Sequence, residues 1–206
     1  MRRIFILVVA IACATGCKRE EKASMPKCSD DLARNDVMRL QGAARSGTDP
    51  CPELTAPKIS LDARGLSVDG AVKVAVADLP TSTPQNIAPL FQSFVGKRRL
   101  WKQIHPGEKF SAKVDFEAAP DASAVAGASV MRSIAWAGYE TMHLVAGDVT
   151  VDFECVTPKP PGAPPDADVV RVRTSGTMHD LANEVKAELA KPAAHGKWQI
   201  SFDRSS

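Results

Sequence analysis

A chain of 206 residues is long enough for one domain of ordinary size with short appendages. Hydrophobic residues make up 44% and charged residues 24%, as in a globular protein rather than a disordered or fibrous one. Arg2 and Arg3 lie in a segment that we expect to be removed, and without them 24 of the 26 basic residues remain against 24 acidic ones. This balance excludes a strongly basic nucleic-acid-binding protein.

The first residues have the pattern of a secretion signal. Two arginines precede Ile4 to Ala12, an apolar run of nine residues, whereas a helix that spans a bilayer needs ~20. Small residues then precede Cys17, as in the lipobox of bacterial lipoproteins. This resemblance implies a signal peptide at 1–16 and a diacylglyceryl group on the Cys17 thiol. The alternative is an ordinary secretory signal that leaves Cys17 as a plain thiol.

The lipoprotein resemblance also implies a location. The mature chain would be held at the cell envelope by its lipid and would face the periplasm, and Lys18 directly after the cysteine favours the outer membrane over the inner one. Residues 17–27 are polar and charged, which indicates a flexible tether between the lipid and the folded part.

Cysteine usage agrees with an oxidising compartment. With Cys13 removed and Cys17 acylated, three thiols remain, enough for one disulfide with one cysteine left over. Cys28 and Cys51 bracket a short helical pattern and are nearest in sequence, so they are the preferred pair. Cys155 lies on the apolar side of an alternating segment, where a free cysteine packs as a small hydrophobe. The other pairings stay open.

Residues 28–56 form a Cys-bracketed helical segment. Ser29 is the predicted N-cap, followed by an acidic first turn, and the apolar residues Ala33, Val37, Leu40 and Ala44 recur at helical spacing. From Lys58 the period changes to two and predicts a meander of three short strands with turns at Arg64-Gly65 and Asp69-Gly70. Residues 84–104 return to a helical period.

The second half of the chain alternates between the same two patterns. A strand is predicted at 110–118, a helix of small residues from about 122 to 138, and two strands at 142–146 and 149–155. A Pro-rich linker at 157–168 precedes a strand–helix–strand unit at 169–206, with Thr177 as the helix N-cap. This βαβ appendage is too small to be stable alone, so it must pack on the larger sheet or on another protein.

The predicted fold class is therefore α+β: a small mixed sheet with helices on one face, at 57–156, plus the C-terminal βαβ appendage. The order of elements from Ile59 to Val145 resembles the periplasmic domain of the ExbD/TolR biopolymer-transport family. The residues that carry the resemblance lie in three stretches: 59–70 (ISLDARGLSVDG), Val114-Asp115-Phe116, and Val130-Met131 leading to Ala137-Gly138-Tyr139 and His143-Leu144-Val145. It covers under half of the chain.

The ExbD/TolR resemblance implies a non-enzymatic interaction module. Members of that family carry a transmembrane helix with an acidic residue that couples proton flow, whereas residues 4–16 here contain no acid. We therefore expect an accessory component of envelope transport or anchoring without proton coupling. Envelope proteins or peptidoglycan are the expected partners, through dimerisation of this chain, contact with peptidoglycan or capture of an extended segment at a sheet edge. A peptidoglycan-associated structural lipoprotein is the alternative.

Catalytic and metal-binding patterns are sparse in the sequence. The four histidines are scattered, no metal-ligand spacing occurs, and no cofactor motif is present, so we predict no catalytic, cofactor or metal site. An envelope hydrolase is a third, unsupported hypothesis. The strongest local charge is a basic run that could contact an anion or a partner, or could be the solvated face of a helix: Lys97, Arg98, Arg99 and Lys102.

Overall fold

The computed structural model describes residues 24–29, 31–155, 168–193 and 198–201. The predicted signal peptide (1–16), Cys17, most of the tether (17–27) and all of the Pro-rich linker (157–168) except Asp168 lie outside the described residues. The α-helices are α1 (Arg34–Arg45), α2 (Ala88–Ile104), α3 (Ala124–Trp136) and α4 (Met178–Leu189). The strands are β1 (Lys58–Asp62), β2 (Gly65–Val68), β3 (Ala71–Ala75), β4 (Lys113–Ala118), β5 (Thr141–Ala146), β6 (Val149–Glu154), β7 (Asp168–Arg171) and β8 (Trp198–Ser201).

The first six strands form one mixed sheet in the order β3-β2-β1-β4-β5-β6. Strands β1, β4 and β5 are parallel neighbours, so that Ile59 pairs with Phe116 and Phe116 with Leu144. The antiparallel hairpins β1–β2 and β5–β6 extend this parallel centre on both sides, and β3 pairs with β2. The predicted α+β class is confirmed.

The sheet is covered on one face. Along β4 and β5 buried residues alternate with partly or fully exposed ones, as expected for strands with one wet face. The buried side is almost entirely aliphatic and aromatic and shares one core with helical residues, among them Leu90, Phe94, Ile134 and Leu181. The other face carries mainly polar side chains, including Asp115, His143 and Asp152, which are partly or fully exposed.

The amino-terminal helix α1 is attached to α2 rather than to the sheet. Cys28 and Cys51 form a disulfide with their Cα atoms 5.9 Å apart, which agrees with the preferred pairing. A second, smaller core joins the two helices: Leu40, Cys51, Leu54, Leu100, Trp101 and Ile104.

The predicted N-cap of α1 is wrong. The helix begins at Arg34 with Ala33 as N-cap and no side-chain cap, because Ser29 belongs to the irregular segment that carries Cys28 to its partner.

The βαβ unit packs on the main sheet, which was one of the two expectations. Strands β7 and β8 are parallel, and Ile200 of β8 forms a bridge with Cys155 beyond β6. Helix α4 contributes Leu181 and Val185 to the main core. Its start is fixed as predicted by a capping box, in which Thr177 and Asp180 each bond the other's backbone N–H.

Two predicted boundaries differ from the structure. Strand β4 begins at Lys113, not at 110, because Phe110 turns its ring onto Tyr139 and Trp101, with centroid distances of 4.9 and 5.1 Å. Helix α2 begins at Ala88 rather than near 84, with Pro89 in its first turn, where a missing N–H costs nothing. Cys155 is free and buried, as predicted.

Candidate functional site

The parallel strands β1, β4 and β5 end at the same edge of the sheet. From β1 the chain turns to β2 on one side, and from β4 it runs through α3 to β5 on the other side. In open sheets with parallel strands, ligands bind outside the carboxyl ends at the point where the connections diverge. Here that point lies between Asp62 and Ala119, where the Ala119 N–H donates to the Leu61 carbonyl at 2.8 Å.

A cleft of about 270 Å³ opens at this point, on the helical side of the sheet. We name it the β1–β4 cleft; its lining is mainly apolar and includes Leu61, Val76, Leu79, Pro80, Ala122 and Ala126. Leu79 is nearly buried and Val76 is 52% exposed, so the lining offers one accessible apolar side chain beside a buried one.

Acidic groups surround the cleft. Asp62 and Asp121 line it, and a second recess of about 420 Å³ on the open side of the same edge adds Arg64 and Glu117. Arg64 is bound to Asp62, with Nη2 2.8 Å from Oδ2, and this hydrogen bond lowers the pKa of Asp62. Asp121 and Glu117, the other acidic residues that line the two recesses, form no ion pair within the part of the chain that the structure describes.

One wall of the cleft is an irregular segment, 79–87, that α3 holds in place. Ser129 and Ser133 are fully buried and accept hydrogen bonds from the backbone N–H groups of Gln85 (3.0 Å) and Ile87 (2.8 Å). Each hydroxyl also donates to the carbonyl four residues earlier in α3, at 2.7 Å. The wall next to Leu79 is therefore fixed by satisfied buried polar groups.

The four residues of the basic run are not brought together. Lys97 forms an ion pair with Asp69 at 2.8 Å. Arg98 donates to the Ala137 carbonyl at 3.2 Å, at the C-terminus of α3, and lies over the Phe110 ring. Only Arg99 and Lys102 are exposed. The structure therefore does not present these four residues as one anion contact.

We expect Arg98→Ala to lower the free energy of unfolding by about 1–2 kcal/mol, because it removes a helix-terminal hydrogen bond and packing on Phe110. Arg98 Nε is buried with no hydrogen-bond partner among the described residues. Because this unsatisfied group already costs stability in the natural protein, the loss of free energy on substitution should lie nearer to ~1 than to ~2 kcal/mol. Arg99→Ala, on the same helix, should change it by less than about 0.5 kcal/mol. Urea unfolding of both variants measures the difference, and equal effects would contradict this assignment.

Two histidines in the described part of the chain serve in local contacts. His143 Nδ1 lies 2.9 Å and Lys113 Nζ 2.8 Å from Asp152 Oδ1 on the open sheet face, and mainly Lys113 lowers the pKa of Asp152. His105 stacks on Trp101 with ring centroids 4.7 Å apart. The His143–Asp152 pair thus has an ammonium group as its third member, which is no arrangement for nucleophilic catalysis.

Metal-ligating side chains come together at one place in the described part of the chain. Cys28, Cys51 and Glu53 have ligand atoms within 4.8 Å of one another, but the disulfide removes both thiolates. Burial raises the pKa of Cys155, the free cysteine of the described residues, well above its usual range, so its thiol is unreactive.

The sequence pattern did not point to the residues of the β1–β4 cleft. Asp62 is the last residue of β1 and Asp121 lies three residues after β4, but their proximity depends on the parallel pairing of β1 with β4, which no local pattern contains. The signal that was available is the position of acidic residues at or shortly after the ends of two half-buried strands.

No family model matches the chain, and comparisons with curated proteins and with solved structures find no match either. Over residues 24–29, 31–155, 168–193 and 198–201, no helix combines the length and the apolar character needed to cross a bilayer.

Proposed function

We propose that the chain is a lipid-anchored, periplasm-facing interaction module similar to ExbD/TolR, an accessory component of envelope transport or anchoring that does not couple proton flow. The observation that carries this proposal is the order of elements within the main domain. The elements occur in the order that the resemblance implies: hairpin β1–β2, strand β3, helix α2, strand β4, small-residue helix α3 and strand β5.

The residues that carry the resemblance also have structural roles that support it. Residues 59–70 form the β1–β2 hairpin, and Val114 and Phe116 lie buried at the centre of the sheet. Gly138 ends α3 with a φ of +91°, and Tyr139 donates its hydroxyl proton to the Leu54 carbonyl at 2.8 Å. These positions build a scaffold, so the partner-binding surface has to be sought elsewhere on the domain.

Lipid anchoring at Cys17 gives a direct test of location. We expect Cys17→Ser to release the protein from the membrane fraction, because the serine hydroxyl does not receive the diacylglyceryl group. Fractionation at high salt measures this, since salt removes proteins held by charge alone. Cys155→Ser, a change at a buried cysteine, is the control and should stay in the membrane fraction. A Cys17→Ser protein that still sediments with membranes at high salt would refute the anchor.

The function itself is tested by crosslinking the full chain in intact envelopes and identifying its partners by mass spectrometry. Recovery of a membrane protein of an envelope transport machinery would support the proposal. Recovery of muropeptides alone would replace it with a peptidoglycan-associated structural lipoprotein, and recovery of this chain alone would leave a self-associating anchor. Cosedimentation with purified sacculi provides an independent measurement of the peptidoglycan outcome.

A further inference from the structure

The outer edge of β3 is a poor surface for adding another strand. Within the described residues β3 is a terminal strand of the six-stranded sheet, and it has only five residues. Its pairing with β2 shifts between Leu66 and Ser67, which leaves Lys73 as the extra, exposed residue of a bulge. Short edge strands, bulges and lysines are the features that protect sheet edges from further pairing. An extended partner is therefore better accommodated on a surface other than this edge.

The β1–β4 cleft provides that surface, directly after β3 in the chain. Val76, 52% exposed, and the nearly buried Leu79 form an apolar wall opposite Ala122 and Ala126. A volume of about 270 Å³ is at the small end for cofactor sites, but it suits one or two aliphatic side chains.

The charge around the cleft restricts the occupant. The ionisable residues that line the cleft and its neighbouring recess are Asp62, Asp121, Glu117 and Arg64, and Arg64 is already engaged by Asp62. The remaining carboxylates favour a cation next to the apolar anchor. The basic residues of the chain that the sequence singled out lie on α2 and do not line either recess.

We infer that the β1–β4 cleft binds a segment of a protein partner in which an aliphatic side chain is flanked by lysine or arginine. The aliphatic side chain packs against Val76 and Leu79, and the cations lie over Asp121 and Glu117. This inference rests on the proposed function, since it names the binding surface of the interaction module and the chemistry of its partner.

The test uses short fluorescent peptides and the purified full-length protein. One peptide carries a single leucine between lysines in a Gly/Ser background, and matched peptides replace the lysines with glutamate or the leucine with alanine. We expect binding of the lysine–leucine peptide alone. Val76→Ser should weaken it about tenfold, because the apolar wall is lost without any change of charge. Asp121→Asn should weaken it about threefold, and added salt should reduce that difference.

Control variants match these changes elsewhere on the surface. Val95→Ser alters a valine on α2 that is 41% exposed and does not line the cleft, and Asp31→Asn alters an exposed acid outside it. Both should bind the peptide as the natural protein does, and thermal unfolding should show that all four variants fold. Equal binding of the glutamate peptide, equal loss in Val95→Ser, or no binding of the lysine–leucine peptide would overturn the inference.

Photocrosslinking distinguishes a failure of the inferred cleft from a failure of the proposed function. A photocrosslinking residue placed at position 76 or at position 95 of the full chain reports which surface the envelope partner touches. Capture of a transport-machinery protein through position 95 but not through position 76 would overturn the cleft and leave the proposed function in place. Crosslinks at position 76 that map to a segment with an aliphatic residue beside lysine or arginine would support the cleft. The absence of any envelope protein at either position would count against both.

Discussion

Gly65→Ala is expected to lower the free energy of unfolding by roughly 3 kcal/mol, a large effect for the addition of one methyl group. Gly65 has a φ of +124°, which L side chains rarely adopt, so alanine would be strained here even in open space. There is also no room for the added methyl group. A Cβ would overlap the Val74 carbonyl oxygen and lie 2.9 Å from Val76 N, and backbone atoms of a paired strand cannot move aside as a flexible side chain does.

Substitutions at two other glycines distinguish the backbone strain from the steric overlap. Gly70 has a φ of +80° and open space where a Cβ would lie, so Gly70→Ala should cost only the conformational strain, about 1 kcal/mol. Gly42 lies inside α1 at an ordinary φ with open space, and Gly42→Ala should stabilise the protein by about 0.5–1 kcal/mol. Urea unfolding of the three variants measures the order, and equal losses at positions 65 and 70 would contradict the steric argument.

The sequence predicted the elements well because each has a clear period. Strand β5 and strand β6 alternate without exception between the core and the open face, and α4 begins at a capping box that is visible in the sequence. The prediction of Ser29 as the N-cap of α1 is wrong for a physical reason. Capping is a local preference of about 1 kcal/mol, and the path that takes Cys28 to Cys51 outweighs it.

The basic run, residues 97–102, shows that basic residues clustered in the sequence of a helix need not share one surface. Successive residues of an α-helix point about 100° apart, so neighbours in the chain reach different surroundings. Lys97 meets Asp69, Arg98 meets the end of α3, and Arg99 faces solvent. Each partner comes from a distant part of the chain, and for that reason the sequence alone did not separate the three roles.

The β1–β4 cleft was not predictable for a related reason. Its walls come from β1, the segment after β3, and the start of α3, which are adjacent only once β4 has paired with β1 in parallel. Parallel pairing is non-local, and the alternation within β1 and β4 predicts a buried face for each strand but not which strand lies beside it. The exposed Val76 likewise lies in a stretch of alternating valines that predicts only a strand.

Removal of the Cys28–Cys51 disulfide is expected to lower the free energy of unfolding by roughly 3 kcal/mol. The bond closes a loop with a sequence separation of 23, and the entropy of that loop in the unfolded chain gives this magnitude. The loss matters because α1 has few other attachments. Leu40 is its one buried residue, and the small core that it joins depends on Leu100 and Ile104 of α2.

Urea unfolding with and without reductant measures this effect in the full chain. The natural protein should lose stability on reduction, whereas Cys28→Ala combined with Cys51→Ala should start lower and be insensitive to reductant. Cys155→Ala keeps the disulfide and should remain sensitive, although its small cavity lowers stability slightly. Sensitivity that disappears in Cys155→Ala would mean that Cys155 takes part in the bond.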